Sequence, residues 1–206
     1  MSSSATPGAL SGADRVGVVV LVGAGVILAA ITVIGAVIRL SEALGGGAIE
    51  VMAEFAGTPA QAPIGVDGAP VTVGLDTEVL SVPDLPSASI AALAAQQLVL
   101  MTVVIVVAAM LVLLSLGILR GVVFSKRHTV YVGTASVAGF LGISLYPFFG
   151  NMAANGAFAA LSDDTFENVI LTVQPLTFIV AAFVAALATT VFSVGARLQR
   201  ETEGLV

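Results

Sequence analysis

The residues from Leu98 to Leu119 constrain the fold more than any other part of the chain. This run of 22 residues contains no charged residue and no proline, and only Thr102 and Ser115 interrupt it with polar side chains. As a helix it would extend roughly 33 Å at about 1.5 Å per residue, which matches the hydrocarbon thickness of a lipid bilayer. The sequence therefore predicts a membrane-spanning helix.

The composition extends this prediction to the whole chain. Hydrophobic residues make up 58% of the 206 residues and charged residues only 10%, whereas soluble domains have about a quarter charged residues. The chain has no cysteine, which excludes disulfides and thiolate chemistry. Its net charge of −6 argues against a nucleic-acid partner, because binding to phosphates requires clustered Lys and Arg.

Four apolar runs have the length of membrane spans, and they cover about residues 16–38, 98–119, 129–149 and 169–196. The first run has a signal peptide as its alternative interpretation. It is about twice as long as the apolar region of a signal, so we interpret it as a retained anchor. We predict an all-α membrane protein, a single domain over residues 1–206, whose fold is a four-transmembrane-helix bundle.

The loop at residues 41–89 differs from the spans because it is polar and rich in Gly and Pro. Three apolar residues, Ile49, Val51 and Phe55, alternate along the chain with a second set of residues. The second set is Glu50, Met52 and Glu54. An alternation of this kind is typical of a half-buried strand. The Asp67-Gly68 pair is a turn signal. We expect a small β-rich extracytoplasmic cap between helices 1 and 2, lying on the helix ends.

The two remaining connections are shorter. The loop at residues 120–128 is short enough to make the second and third spans antiparallel. The connection at residues 150–167 can continue as helix, and Asp163 or Asp164 can cap the next helix. The Gln174-Pro175 pair lies inside the predicted fourth span, where it would kink the helix or mark the start of its lipid-embedded part.

The charges fall into two groups once four spans are assumed. One side carries six basic and three acidic residues, for a net charge of +3, and the other carries one basic and ten acidic residues, for a net charge of −9. Basic residues are retained in the cytoplasm. We therefore expect a multi-pass protein of the plasma membrane with both termini and the 120–128 loop in the cytoplasm.

Small residues mark candidate helix contacts. Gly25 and Ala29 form a small-xxx-small pair in the first span, and Ala135, Gly139 and Gly142 lie near one face of the third span. Such residues let helices approach closely in lipid. The alternative is that Gly and Ala are simply common in membrane helices.

The spans contain little that could carry chemistry. No ionisable residue lies at the centre of a predicted span, which argues against a carboxylate relay. Gln174 and Pro175 form a candidate intramembrane polar site for an uncharged ligand, with an ordinary helix kink as the alternative. We interpret His128 as an interfacial residue and the outer acids as a solvated surface, and we assign no catalytic residue, cofactor or metal site.

The segment Leu119-Arg120-Gly121-Val122-Val123-Phe124-Ser125-Lys126-Arg127-His128 resembles the cytoplasmic loop of a bacterial tetraspan membrane family known as domain of unknown function 2975. The family is also similar in having an extracytoplasmic segment after its first span. The resemblance implies four spans and a bacterial membrane, and it implies no catalytic or binding residue.

These features favour a non-enzymatic membrane protein of unknown specific role. It would act through protein contacts within the lipid bilayer, either as an accessory or structural subunit bound to a protein partner or by self-association as a homo-oligomer. The alternative is a small channel or carrier for a neutral or lipidic ligand, centred on Gln174, Pro175 and the third helix.

Overall fold

The computed structural model describes residues 11–166 and 174–203. In these residues four long helices form, namely α1 (Gly12–Gly45), α2 (Ser87–Leu119), α3 (Lys126–Ser162) and α4 (Pro175–Glu203). Two strands, β1 (Ile49–Ala62) and β2 (Val71–Val82), lie between α1 and α2 in the chain. All four helices are long and apolar enough to cross a membrane.

The chain divides into two compact units, which differ in charge. Unit 1 comprises Met1–Gly35, Leu100–Ile143 and Gln174–Val206, and unit 2 comprises Ala36–Val99 and Ser144–Val173. Unit 1 contains six basic and three acidic residues, and unit 2 contains one basic and ten acidic residues. The units therefore separate the same two groups of charges that the sequence assigns to opposite sides of a membrane.

Strands β1 and β2 form an antiparallel hairpin in unit 2, which confirms a small β structure between the first two helices. Ile49 lies opposite Val82 at the base, and Ala62 lies opposite Val71 at the far end. The ladder is interrupted between Glu54 and Thr58. Gly57 has a φ of +69° there, a conformation that glycine adopts without steric cost. The interruption is a bulge that divides the hairpin into a basal and a distal half.

The basal half of the hairpin is buried on one face. Ile49 and Val51 are buried and Phe55 is half-buried, while Glu50, Met52 and Glu54 are exposed, which confirms the alternation predicted from the sequence. Ala53 is buried on the same face. This face packs on the start of α2 and the end of α3, as expected for a cap on helix ends. The core consists of Ile49, Val51, Ala53, Val82, Leu85, Ala92, Ala153, Ala154, Ala157 and Phe158.

In unit 1, α3 runs antiparallel to α2 and also contacts α4. Gly142 of α3 lies against Val103 of α2, and His128 near the start of α3 lies against Gly117 near the end of α2. The rings of Phe140 in α3 and Phe178 in α4 are 5.8 Å apart. The antiparallel pairing predicted for the second and third spans is confirmed.

Helix α3 is longer than its predicted span at both ends. It begins at Lys126 instead of residue 129, because the hydroxyl of Ser125 accepts a hydrogen bond from the backbone N–H of His128 and caps the helix. It continues through Pro147 to Ser162, so most of the predicted 150–167 connection is helix. The buried alanines in this part of α3 pack against the hairpin, which stabilises the extension.

The predicted role of Asp163 and Asp164 as caps of the next helix is wrong for the described residues. Both aspartates have positive φ values and end α3, and the N–H of Asp164 donates to the carbonyl of Ala159, as in a helix C-terminal motif. Glu167, the last residue of the predicted capping box, lies outside the described residues.

The start of the fourth helix also differs from the prediction of residue 169. Residues 167–173 lie outside the described residues, and α4 begins at Pro175. Proline suits the first turn of a helix because its missing N–H would have no partner there. Pro175 therefore stands at a helix start, and the described residues contain no kink of α4 at this proline.

Candidate contact sites

Gly142 is the predicted contact residue that the structure places in a close helix contact. A Cβ atom on residue 142 would lie 2.9 Å from Cγ1 of Val103, so any larger residue would push α2 and α3 apart. Close approach of this kind is how small residues stabilise helix pairs in lipid.

His128 fills a second contact between α2 and α3 in unit 1. Its side chain is buried, with 4% of the residue exposed, so the ring packs within the protein, and its expected position at the membrane interface stays a prediction. Its Nδ1 atom lies 2.8 Å from the carbonyl oxygen of Val123. Because a carbonyl only accepts, Nδ1 carries the proton, and the Nε2 edge of the ring faces Gly117.

The loop between α2 and α3 is closed by the same residues that carry the family resemblance. Gly121 has positive φ, and the N–H of Val122 donates to the carbonyl of Gly117, which ends α2 in a Schellman motif. Phe124 lies against Gly195 of α4, where a Cβ atom would overlap its ring. The centroids of Phe124 and Phe192 are 5.8 Å apart. The motif therefore has a structural role in fixing this turn.

In unit 2, two contacts between α2 and α3 involve polar side chains. The side-chain amide of Gln96 donates to the backbone carbonyl of Tyr146 at 3.2 Å, and it occupies the space where Gly150 lacks a Cβ atom. The hydroxyl of Ser89 lies against Gly156 in the same way. Each polar side chain of α2 thus packs against the backbone of α3 at a glycine, because the missing Cβ atom leaves space for it.

The contact residues of α2 and α3 repeat at intervals of about seven. On α2, Val103 and Gly117 are fourteen residues apart, and on α3 His128 and Gly142 are also fourteen apart. In unit 2, Ser89 and Gln96 are seven apart. A seven-residue repeat is typical of helices that pack along a shared seam. Ala135, half-buried and seven residues from both His128 and Gly142, lies on this repeat.

The other predicted contact residues have no such neighbour. At Gly25 and at Gly139 a Cβ atom would meet nothing within 4 Å in the described residues. Ala29 is half-buried. The role of these residues in helix contacts stays a prediction.

Gln174 and Pro175 do not form a buried polar site. Both residues are exposed, and the Gln174 side chain accepts a hydrogen bond from the Thr177 hydroxyl at 3.2 Å. This bond joins a residue before the helix to its first turn. The structure therefore places the pair at the start of α4, and its role as a ligand site stays a prediction.

The tip of the hairpin exposes apolar side chains. Ile64 is 69% exposed and Val66 is 86% exposed. A short 3₁₀ turn at Val66–Gly68 closes the tip, and the N–H of Gly65 donates to the carbonyl of Ala69 at 2.9 Å. A Cβ atom on residue 65 would lie 2.8 Å from that carbonyl oxygen, so this turn requires glycine.

Unit 1 also has an apolar groove between α2 and α3, which we call the α2–α3 groove. It has a volume of about 540 Å³. Helix α2 contributes Thr102, Val103 and Val106, and α3 contributes Val130, Gly133, Thr134, Val137, Ala138 and Leu141. Neither Gln174 nor Pro175 is among its lining residues.

Comparison with known proteins adds no relative. No family model, curated protein or solved structure matches this chain. The functional proposal is therefore based on the geometry of the described residues.

The charged residues form no cluster of three or more His, Asp or Glu in the described part of the chain. Arg39, at the end of α1, pairs with Glu42 at 3.5 Å and with Glu50 of β1 at 3.6 Å. Both pairs are exposed, so they contribute little stability. They help to set the start of the hairpin relative to the end of α1.

Proposed function

We propose that this chain is a non-enzymatic multi-pass protein of a bacterial plasma membrane. We also propose that its hairpin lies on the outer side of that membrane and binds a protein partner there. The partner is either a larger envelope complex, which the chain joins as an accessory or structural subunit, or another copy of the chain. We further propose that its four helices form one bundle in the membrane and that the chain is related to the family known as domain of unknown function 2975.

The single observation that carries the proposal is the rigid apolar tip of the hairpin. Ile64 and Val66 are exposed on a turn that is closed by hydrogen bonds. Apolar side chains that lie close together and exposed on one surface are typical of interaction sites. A turn already held in one conformation loses little entropy on binding.

The length of the hairpin supports the same role. Among the described residues the basal half packs on helices, whereas Thr58 to Ala62 pair with Val71 to Leu75 beyond the bulge. A two-stranded hairpin without further packing is marginally stable in water. A partner that covers the distal half would stabilise it.

The charge distribution supports the orientation. Unit 2, which includes the hairpin, has a net charge of −9, and unit 1, which includes both termini, has a net charge of +3. Retention of basic segments in the cytoplasm then favours an outward hairpin and cytoplasmic termini.

The environment of the sole histidine of the chain supports a non-enzymatic role. His128 is buried, donates to the Val123 carbonyl and packs on Gly117. A catalytic imidazole needs an approach for substrate and an orienting acid, whereas these contacts are those of a residue that fixes a turn.

Site-specific photocrosslinking in cells tests the proposal. A photoreactive amino acid at Val66 should give a discrete adduct with one protein, and the same group at Asp84, an exposed residue near the base, should not. The Ile64→Ser/Val66→Ser double variant should lose co-purification of that protein in mild detergent. A well-folded membrane-inserted protein that gives no adduct from Val66 would contradict the proposal.

A further inference from the structure

We propose that the α2–α3 groove binds one acyl chain of an anionic phospholipid and that Lys126 and Arg127 hold its headgroup. This site is separate from the hairpin tip, and it does not depend on the proposed partner binding.

The lining of the groove suits a hydrocarbon chain. Apart from the hydroxyls of Thr102 and Thr134, the side chains that line it are apolar. Its volume of about 540 Å³ lies within the range of roughly 300–1,000 Å³ that is usual for small-ligand sites. Val130, Val137 and Leu141 are exposed along it, so a lipid can enter sideways from the bilayer.

The cations lie at one end of the same helix face. Along α3, the lining residues Val130, Thr134, Ala138 and Leu141 follow one another at intervals of three or four. Residues at this spacing share one face of a helix. Arg127 is three residues before Val130, and Lys126 is four before it, so both continue this face beyond the groove.

These cations have no acidic partner in the described residues. Lys126 and Arg127 are exposed, and the salt bridges found there join Arg39 to Glu42 and Glu50 and Arg197 to Glu201. Arg120, at the end of α2, is also exposed. Basic residues beside a gap between membrane helices are the chemistry that recognises anionic lipid headgroups.

An anionic phospholipid satisfies both parts of the site. Its acyl chain would cover the apolar groove, and its phosphate would pair with the cations at the end. A helix of a second copy would cover the groove without supplying a phosphate. A soluble phosphate would meet the cations and leave the groove open.

Lipid competition read by native mass spectrometry tests the proposal. The full-length protein is reconstituted in vesicles of equal parts phosphatidylglycerol and phosphatidylcholine, extracted in mild detergent, and weighed with its retained lipids. The wild-type protein should retain phosphatidylglycerol in preference. The preference should fall about fivefold when either Lys126 or Arg127 is neutralised, because a cation that contacts an anionic headgroup contributes a free energy equivalent to about that factor.

Two pairs of variants distinguish binding of the lipid headgroup from binding of the acyl chain. Lys126→Gln/Arg127→Gln should abolish the preference, while Arg15→Gln, another exposed cation of unit 1, should preserve it. Gly133→Leu should fill the groove and displace the lipid, since a Cβ atom at residue 133 meets nothing within 4 Å. Gly139→Leu is the matched control, because Gly139 has equal free space on the same helix and does not line the groove.

A diazirine near the tail of phosphatidylglycerol gives a second measurement. It should crosslink to peptides that contain Thr102–Val106 or Val130–Leu141. Equal retention of both lipids, or labelling elsewhere, would overturn the proposal. Competition by glycerol phosphate would show that only a soluble anion is bound, and a change of oligomeric state in Gly133→Leu with unchanged lipid retention would assign the groove to a second copy. Either result would overturn it.

Discussion

The imidazole of His128 packs against Gly117 so closely that a Cβ atom on residue 117 would overlap its Nε2 atom. The ring cannot turn away without losing the hydrogen bond from Nδ1 to the Val123 carbonyl, which is 2.8 Å long. One buried side chain therefore joins the end of α2, the loop and the start of α3.

Gly117→Ala should destabilise the protein by about 1–3 kcal/mol, the usual cost of overpacking a well-filled contact. The added methyl group would force His128 out of its position. The measurement is the free energy of unfolding in mixed detergent micelles. Gly139→Ala, with nothing within 4 Å of its Cβ position, is the control and should leave it unchanged or raise it by up to about 1 kcal/mol, because alanine has the higher helix propensity.

A double-mutant cycle tests whether His128 is the cause. His128→Ala removes the ring that Gly117→Ala would displace, so the double variant should be more stable than the sum of the two single changes predicts. Strict additivity would show that residues 117 and 128 do not interact, and would contradict the contact.

The fold was predictable from the sequence where the signal is local. The apolar run of α2 and the alternation of Ile49, Val51 and Phe55 each depend on the period of one element, and both agree with the structure, in which Ile49 and Val51 are buried and Phe55 is half-buried. The burial of His128 was not predictable in this way, because it depends on which residue of α2 the turn brings opposite it. The seven-residue spacing of His128, Ala135 and Gly142 is the signal that could have indicated this face.

Gln96→Leu should destabilise the protein by about 1 kcal/mol, because it removes the hydrogen bond from the amide to the Tyr146 carbonyl. Hydrogen bonds between membrane helices contribute about this much. Thermal unfolding in detergent is the measurement, with Thr102→Val, an exposed position of the same helix, as control. A Gln96→Leu variant as stable as the wild-type protein would show that this bond contributes nothing.

Val51→Ala should loosen the hairpin from the helices. Val51 is 1% exposed in the core of unit 2, and removal of two buried methyl groups costs about 2 kcal/mol. The readout is cleavage by a glutamate-specific protease, since Glu50, Glu54 and Glu78 all lie in the strands. Cleavage follows the population of the open form. Met52→Ala, at the exposed neighbouring position, should leave the cleavage rate unchanged, and equal rates for both variants would contradict the packing described.

The ambiguity of Asp163 and Asp164 shows why the ends of helices were harder to predict than their existence. Aspartate suits an N-cap through its side-chain oxygen, and it also tolerates the left-handed backbone that ends a helix. Both residues take the second conformation here, because the buried alanines of α3 extend that helix up to them. Similarly, Pro175 is compatible with a kink and with a helix start, and only the start is seen.

The orientation of the chain is tested most directly by cysteine labelling in intact cells. The chain has no cysteine, so Val66→Cys and Glu201→Cys each introduce a unique thiol at an exposed position. A membrane-impermeant maleimide should label Val66→Cys in intact cells and Glu201→Cys only after the membrane is opened. Labelling of both thiols in intact cells, or of Glu201→Cys alone, would contradict a four-span protein with an outward hairpin and cytoplasmic termini.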